Sequence, residues 1–251
     1  MSADFVEKLI ERALYADRMA SREEWNKSHP DGKTAPYVSD ADKCPRQSWY
    51  SLTNTPESDP PDANSLMNFA LGHAAEEAVA EILERYGVPM IRERRIEIPW
   101  KGMVITGRPD FLFPIPGAGF LAELKTTTTR QAFMLEKDQG QLAHRHQILQ
   151  YLHAGNLGLL EPEITPLDCK VGALVYIVKD AQKFRNPKVV HAYDVHYDEA
   201  EVERVLDTFA SMQLRAKSDP INPPARPEGY KPKGFPCAWC SYATTCWKGP
   251  Q

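Results

Sequence analysis

Apolar positions divide the chain before any single residue draws attention. Phe5, Leu9, Ile10, Leu14, Met19 and Trp25 recur at helical rather than alternating spacing among many charges, which predicts a helical lead-in over residues 3–26. Residues 53–65 are turn-forming and poor in apolar side chains, so a surface loop, free to move, is expected there. From Leu66 to Tyr86 the positions Leu71, Ala75, Val79, Ile82, Leu83 and Tyr86 again follow a helical period, and Gly87 supplies the stop. Short β-prone pieces follow at 92–100, 103–105, 110–113 and 120–125, separated by Trp100-Lys101-Gly102 and by residues 114–119, and read as a meander. A helix is expected over roughly 138–158, ending near Gly155 or Gly158. The nearly unbroken apolar run Val171–Val178 predicts a strand buried on both faces. A charged helix is expected from Glu199 to Lys217. Residues 218–236 hold six prolines, which forbid a regular central element and favour an extended strap.

Length and composition narrow the class. At 251 residues the chain is read as a single domain, 1–251, with a helical lead-in and loop (1–65), a core (66–217) and a strap with its cysteine segment (218–251). A hydrophobic share of 42%, charged residues at 25% and a mean hydropathy of −0.48 are those of a globular protein in water. No apolar run approaches the ~18 residues of a membrane span, and the amino terminus lacks a basic-then-apolar signal, so a cytoplasmic protein with no membrane partner is expected. A net charge of −4 argues against coating nucleic acid by bulk electrostatics and leaves room for a local basic groove.

The chemistry-bearing residues lie on the β-prone pieces. In Glu123-Leu124-Lys125 the outer two side chains share one face of a strand, and Asp110, after Gly107-Arg108-Pro109, brings a second carboxylate from the adjoining strand. Two carboxylates and a lysine make an oxygen-rich site for Mg²⁺ or Mn²⁺, with an ammonium to orient water or balance charge on a phosphate. E-x-K alone is an ordinary surface ion pair; the apolar strand it ends and the G-R-P-D turn before it give it weight. His73 sits early on the 66–86 helix, where a histidine serves packing or ligates Mn²⁺, and Glu77 lies one turn on to support it. Gln147 and Tyr151, four apart, project together from the following helix and are placed to hold a phosphate or the lysine.

Five cysteines include the tight Cys237-x2-Cys240-x5-Cys246 set, flanked by Trp239, Tyr242 and Trp247. That spacing suits a metal site better than a secreted disulfide framework. Cys44 is the expected fourth ligand, because Cys169 at the start of a buried strand reads as a small core residue. Four thiolates hold zinc or an iron-sulfur cluster, and spacing leaves both open.

A histidine-bearing helix, G-x-P-D, E-x-K and Q-x-x-x-Y, in this order from His73 to Tyr151, resembles the RecB-like branch of the PD-(D/E)XK nucleases. The resemblance implies an α/β restriction-endonuclease-like core, a mixed central sheet flanked by helices. It implies that His73, Asp110 and Glu123, with the Leu124 carbonyl, bind the metal, that Lys125 is the catalytic base or orients water, and that Gln147 and Tyr151 are substrate-side supports. One early and three late cysteines around such a core are similar to the iron-sulfur exonucleases, including the fourth CRISPR-associated protein family and helicase-nuclease modules. That implies a 4Fe-4S cluster on Cys44, Cys237, Cys240 and Cys246, clasping the two ends of the chain. The expected function is a Mg²⁺- or Mn²⁺-dependent DNA exonuclease on single-stranded or frayed ends, in CRISPR adaptation or phage-type recombination, with room for partner proteins of those processes and for a homo-oligomer. The rival reading is a DNA-binding or complex-building subunit whose iron-sulfur or zinc site is architectural.

Overall fold

The computed structural model of the chain describes residues 3–92, 94–115, 118–160, 166–180 and 188–248. It holds two compact units. The larger comprises Ala35–Lys43 and Ala74–Ser211, and the smaller Met1–Thr34, Cys44–His73 and Met212–Gln251. Among the described residues no helix is long and apolar enough to cross a membrane.

The larger unit is built on a mixed five-stranded sheet with strand order β1-β4-β5-β6-β7, from β1 (Ile91–Arg92), β4 (Phe111–Ile115), β5 (Ala118–Thr127), β6 (Val171–Val178) and β7 (Val190–His196). β5 and β6 run parallel and the other neighbours antiparallel. A parallel pair needs a crossover, and α4 (Thr129–Asp138) and α5 (Leu142–Asn156) lie within it. The expected α/β core with a mixed sheet flanked by helices is therefore present. The expected meander is not: β2 (Ile96–Trp100) and β3 (Met103–Gly107) form their own two-stranded sheet. Their two-residue turn has positive φ at both Lys101 (45°) and Gly102 (82°), the twist that closes a tight hairpin.

Apolar side chains fill both faces of the main sheet. On one side Leu121 and Leu174 pack with Ile148 and Leu152 of α5, the hairpin residues Ile96, Ile98 and Ile105, and Leu206 of α6 (Glu199–Ser218). On the other, Phe111, Ala122, Leu124 and Ala173 meet Ala80 of α3 (Ala63–Arg85). Only part of the expected apolar stripe of α3 meets the sheet: Val79 packs against this cluster, while Leu71, Ile82 and Tyr86 stay 47%, 50% and 79% exposed. The small Ala80 lets the helix lie close to the sheet.

Two elements of this unit were not foreseen. α4 buries only Thr129, Ala132 and Leu135, too few for a clear stripe, although its Thr128–Gln131 capping box was readable. β7 turns only His191 and Val195 fully inward. The expected helix over 138–158 starts at Leu142, because Gln139 (φ 50°) and Gly140 (φ 102°) break the chain before it. His146, fully buried, takes Asp42 on Nδ1 and Glu201 on Nε2, fastening the segment before Cys44 to α5 and α6.

The smaller unit gathers α1 (Ala3–Ser28), α2 (Pro45–Leu52), the first turns of α3, the end of α6, the proline strap and α7 (Ala243–Lys248) around Trp49, Tyr50, Ala216 and Tyr242. Pro45 opens α2 with Cys44 at its N-cap, where a missing N–H costs nothing. The strap is irregular, as six prolines require, and side chains anchor it: Arg46 donates to the Pro224 carbonyl (3.2 Å) and Trp49 to that of Asp219 (3.1 Å). The loop after α2 is pinned, contrary to expectation. The backbone N–H groups of Ser58 and Asp59 donate to the Ser241 carbonyl (3.0 and 2.9 Å), and the Asp59 carboxylate receives the N–H and hydroxyl of Thr244 (both 2.6 Å).

Candidate active site

The acidic centre lies where the β4–β5 ladder stops. Register pairs Phe111 with Ala122 as the last couple, and Asp110 sits at the bend just before β4. The next N–H of β5 on that edge, at Leu124, has no strand partner left and donates instead to Asp110 Oδ2 (2.7 Å). N–H and C=O of one strand residue lie on the same edge, so the Leu124 carbonyl faces the side where the Asp110 carboxylate stands. Sequence alone placed Asp110 on a strand; its position at the strand's mouth is what brings it to the backbone of Leu124.

Glu123 and Lys125 point to the face covered by α5. Glu123 is 2% exposed. Its Oε1 accepts the Lys125 ammonium and the amide of Gln147 (2.7 Å), while Oε2 is buried with no donor. A buried carboxylate oxygen without a donor is costly. Burial pushes the Glu123 carboxyl upward, Lys125 opposes this, and the charge of Glu76 on α3 raises it further. The centre thus concentrates acid around one open carboxylate oxygen, the electrostatic state that a divalent cation relieves.

Gln147 and Tyr151 do meet on one face of α5, and their polar atoms serve the protein interior. Gln147 Nε2 also donates to the Tyr151 hydroxyl (3.0 Å), which in turn donates to the Arg108 carbonyl (3.0 Å). Burial, then the Glu123 charge, pushes the Tyr151 phenol up, keeping it a proton donor. The chain from Arg108 through Tyr151 and Gln147 to Glu123 holds the G-R-P-D turn and the E-x-K strand in one frame. In this structure these two residues hold Glu123 rather than Lys125. Gly107 is part of the frame: a Cβ there would stand 2.8 Å from Val38 Cγ2 and 3.0 Å from Tyr151 Cε1.

Other expected groups are placed differently. His73 is exposed on α3 and counts with the smaller unit, while Asp110 and Glu123 belong to the larger one. The Glu77 carboxylate takes both terminal nitrogens of Arg92 (3.0 and 2.5 Å). Glu76, one residue earlier, is the α3 acid that acts on Glu123, and only its helical offset from His73 hinted at it. His144, on the first turn of α5, is a further histidine near Lys125 that sequence reading passed over; its three-residue spacing to Gln147 was the available signal.

In the smaller unit Cys44, Cys237, Cys240 and Cys246 line one pocket with Arg46 and Trp247. All four are free thiols. Burial pushes Cys44 and Cys240 upward, and the charge of neighbouring pocket cysteines pushes these two the same way. Arg46 is 1% exposed, and the Trp247 indole N–H is buried with no acceptor. Among the described residues no three His, Cys, Asp or Glu gather closely enough to hold a single metal ion. Cys169 lies apart, fully buried in the core of the larger unit, its thiol pushed up to about 11 by burial.

Comparison with known proteins agrees with this arrangement. No curated protein sequence matches the chain. Solved structures that share its fold include the crystal structure of SSO0001, 17% identical over 98% of both chains at a TM-score of 0.57. Another is the alkaline exonuclease LHK-Exo from Laribacter hongkongensis, 13% identical over 78% of this chain and 93% of that one at a TM-score of 0.50, also solved in complex with dAMP. The sequence itself matches the family described as the PD-(D/E)XK nuclease superfamily over residues 13–247, nearly its whole length. With Asp110, Glu123 and Lys125 assembled at the mouth of the sheet, the chain belongs to the PD-(D/E)XK nuclease superfamily.

Proposed function

We propose that this nuclease is a Mg²⁺- or Mn²⁺-dependent DNA exonuclease acting on single-stranded or frayed ends. The observation that carries the reading is the buried, donor-free Oε2 of Glu123 beside Asp110 and Lys125. Asp110, Glu123 and the Leu124 carbonyl are the groups that would hold the metal, with Glu76 adding negative charge. A bound divalent cation would supply stabilisation of the negative charge that develops on the phosphoryl oxygens and activation of water. Lys125, its ammonium turned to Glu123, orients the attacking water and balances charge on the phosphate. Hydrolysis adds the water oxygen to phosphorus, breaks one P–O ester bond and returns a proton to the departing oxygen. The likeness to an alkaline exonuclease supports the fold, and preference for ends follows from the resemblance of the motif set, as does a setting in CRISPR adaptation or phage-type recombination.

The four-cysteine pocket is read as the seat of a 4Fe-4S cluster. Four thiolates can hold zinc or an iron-sulfur cluster, and the resemblance of the motif set favours the cluster. The acceptor-free Trp247 N–H and the buried Arg46 suit an anionic sulfur-rich group.

Timed digestion of end-labelled single- and double-stranded DNA with Mn²⁺, Mg²⁺ or EDTA tests the activity. Metal-dependent shortening from ends, with covalently closed circles left intact, is expected; no cleavage under any metal overturns the reading. Gln147→Leu is expected to lower activity and raise the metal concentration needed by about 10- to 100-fold, because Glu123 loses the donor that orients it. A metal titration of cleavage checks this.

A further inference from the structure

We propose that His144 is a substrate-binding residue of this nuclease, whose neutral Nε2–H donates to a non-bridging oxygen of the phosphodiester that Lys125 also faces. It rests on the nuclease reading of the Asp110/Glu123/Lys125 centre and adds to it a donor without charge.

Placement comes first. His144 and Gln147 are three apart on α5, so both lie on one face of that helix, and Gln147 reaches Glu123 at 2.7 Å. Tyr176, the partner of His144, stands directly across the parallel β5–β6 pair from Lys125 and therefore on the same face of the sheet. The histidine is half-buried, with its ring tilted against that of Tyr176 at 5.8 Å.

Hydrogen bonding then fixes the tautomer. Tyr176 is 1% exposed, and its hydroxyl accepts the backbone N–H of Gln141 (3.0 Å). Its own proton needs an acceptor, and the group in place is His144 Nδ1 at 2.9 Å. A phenol that accepted from both sides would leave its hydroxyl proton buried and unbonded. Nδ1 is therefore bare and Nε2 carries the proton. No hydrogen bond from Nε2 to a described residue is present, so this N–H is left for a ligand. Burial first, and the Lys125 ammonium second, hold the imidazole down to about 4, so it remains neutral at working pH. A neutral donor beside the lysine binds a phosphate oxygen without repelling the ammonium.

The chain Gln141 N–H, Tyr176 hydroxyl, His144 imidazole thus acts as a relay in which the sheet and the start of α5 decide which nitrogen is offered to substrate. It also gives Tyr176 a role that its core position conceals.

The test combines kinetics with a spectroscopic readout. His144→Ala and His144→Phe are expected to lower kcat/KM on end-labelled DNA by about 10- to 100-fold, and His144→Gln, whose amide restores an N–H donor, to return to within about fivefold of wild type. Tyr176→Phe is expected to fall between. Melting curves identify any variant that fails by unfolding. ¹⁵N–¹H spectra of histidine-labelled protein read the tautomer directly: Nε2–H in wild type is expected, mixed tautomers in Tyr176→Phe. Wild-type kcat/KM in His144→Ala, a His144→Gln no better than His144→Ala, or Nδ1–H in the wild type overturns the proposal. Failure of the nuclease reading is distinguishable, because wild-type protein would then cut no DNA under any metal.

Discussion

Asp110→Ala, Glu123→Ala and Lys125→Ala are each expected to abolish DNA cleavage, by about 10³-fold or more, while the protein stays folded. The reason differs at each site. Asp110→Ala removes a metal carboxylate and frees the Leu124 N–H at the ladder's end, where water replaces the lost bond at a cost of about 1 kcal/mol. Lys125→Ala takes away the ammonium bonded to Glu123. Glu123→Gln is the sharper probe because it keeps the volume and discards the charge. Burial raises the folded Glu123 pKa above its ordinary 4.5. A raised carboxyl pKa means that the folded state binds the proton more tightly, so wild-type stability falls as pH rises through the folded value. In EDTA, therefore, Glu123→Gln melts higher than wild type at neutral pH, and the gap closes below about pH 4.5, the unfolded value. Kinetics with Mn²⁺ titration and melts at several pH values check both parts, and full activity in any alanine variant refutes the assignment.

Loss of one pocket cysteine has the second largest effect. Cys44, Cys237, Cys240 and Cys246 come from distant parts of the sequence, so a shared cluster closes a long loop and its binding free energy is folding free energy for the smaller unit. Alanine at any of them is expected to give colourless, poorly soluble protein, against a brown wild type absorbing near ~400 nm if the proposed cluster is present. Cys169→Ala is expected to keep colour and activity. Its sulfur packs against Gly155 and Gly119 in the core of the larger unit, and the small void costs about 1 kcal/mol. Iron and sulfide analysis of the purified protein decides between the cluster and zinc; a colourless, zinc-loaded wild type refutes the cluster.

Local pattern carried the sequence reading where one residue set determines one element. The Val171–Val178 run could only be a buried strand, and the helical spacing of 3–26 and 199–217 gave helices whose observed ends differ by a residue or two. Glu123 and Lys125 share a face because strand periodicity is two, a fact independent of the rest of the chain. The cysteine spacing likewise grouped Cys237, Cys240 and Cys246, and the position of Cys169 before a buried strand separated it from them.

Tertiary structure decided what depends on where strands stop and which faces meet. That the β4–β5 ladder ends at Phe111–Ala122 turns Asp110 onto the Leu124 N–H, and no periodicity encodes a ladder's end. Gln147 and Tyr151 shared a helix face by spacing, yet only packing of α5 on β5 shows that they grip Glu123 and the Arg108 carbonyl. α3 sets Ala80 and Val79 on the sheet and leaves Leu71, Ile82 and Tyr86 exposed, and helical periodicity alone does not say which part of an apolar stripe meets a partner. His144 acquires its neutral N–H from Tyr176, a residue 32 positions away in sequence that β6 carries to its side. Sequence fixes which groups a segment can offer; burial and strand pairing choose which of their atoms remain free for chemistry.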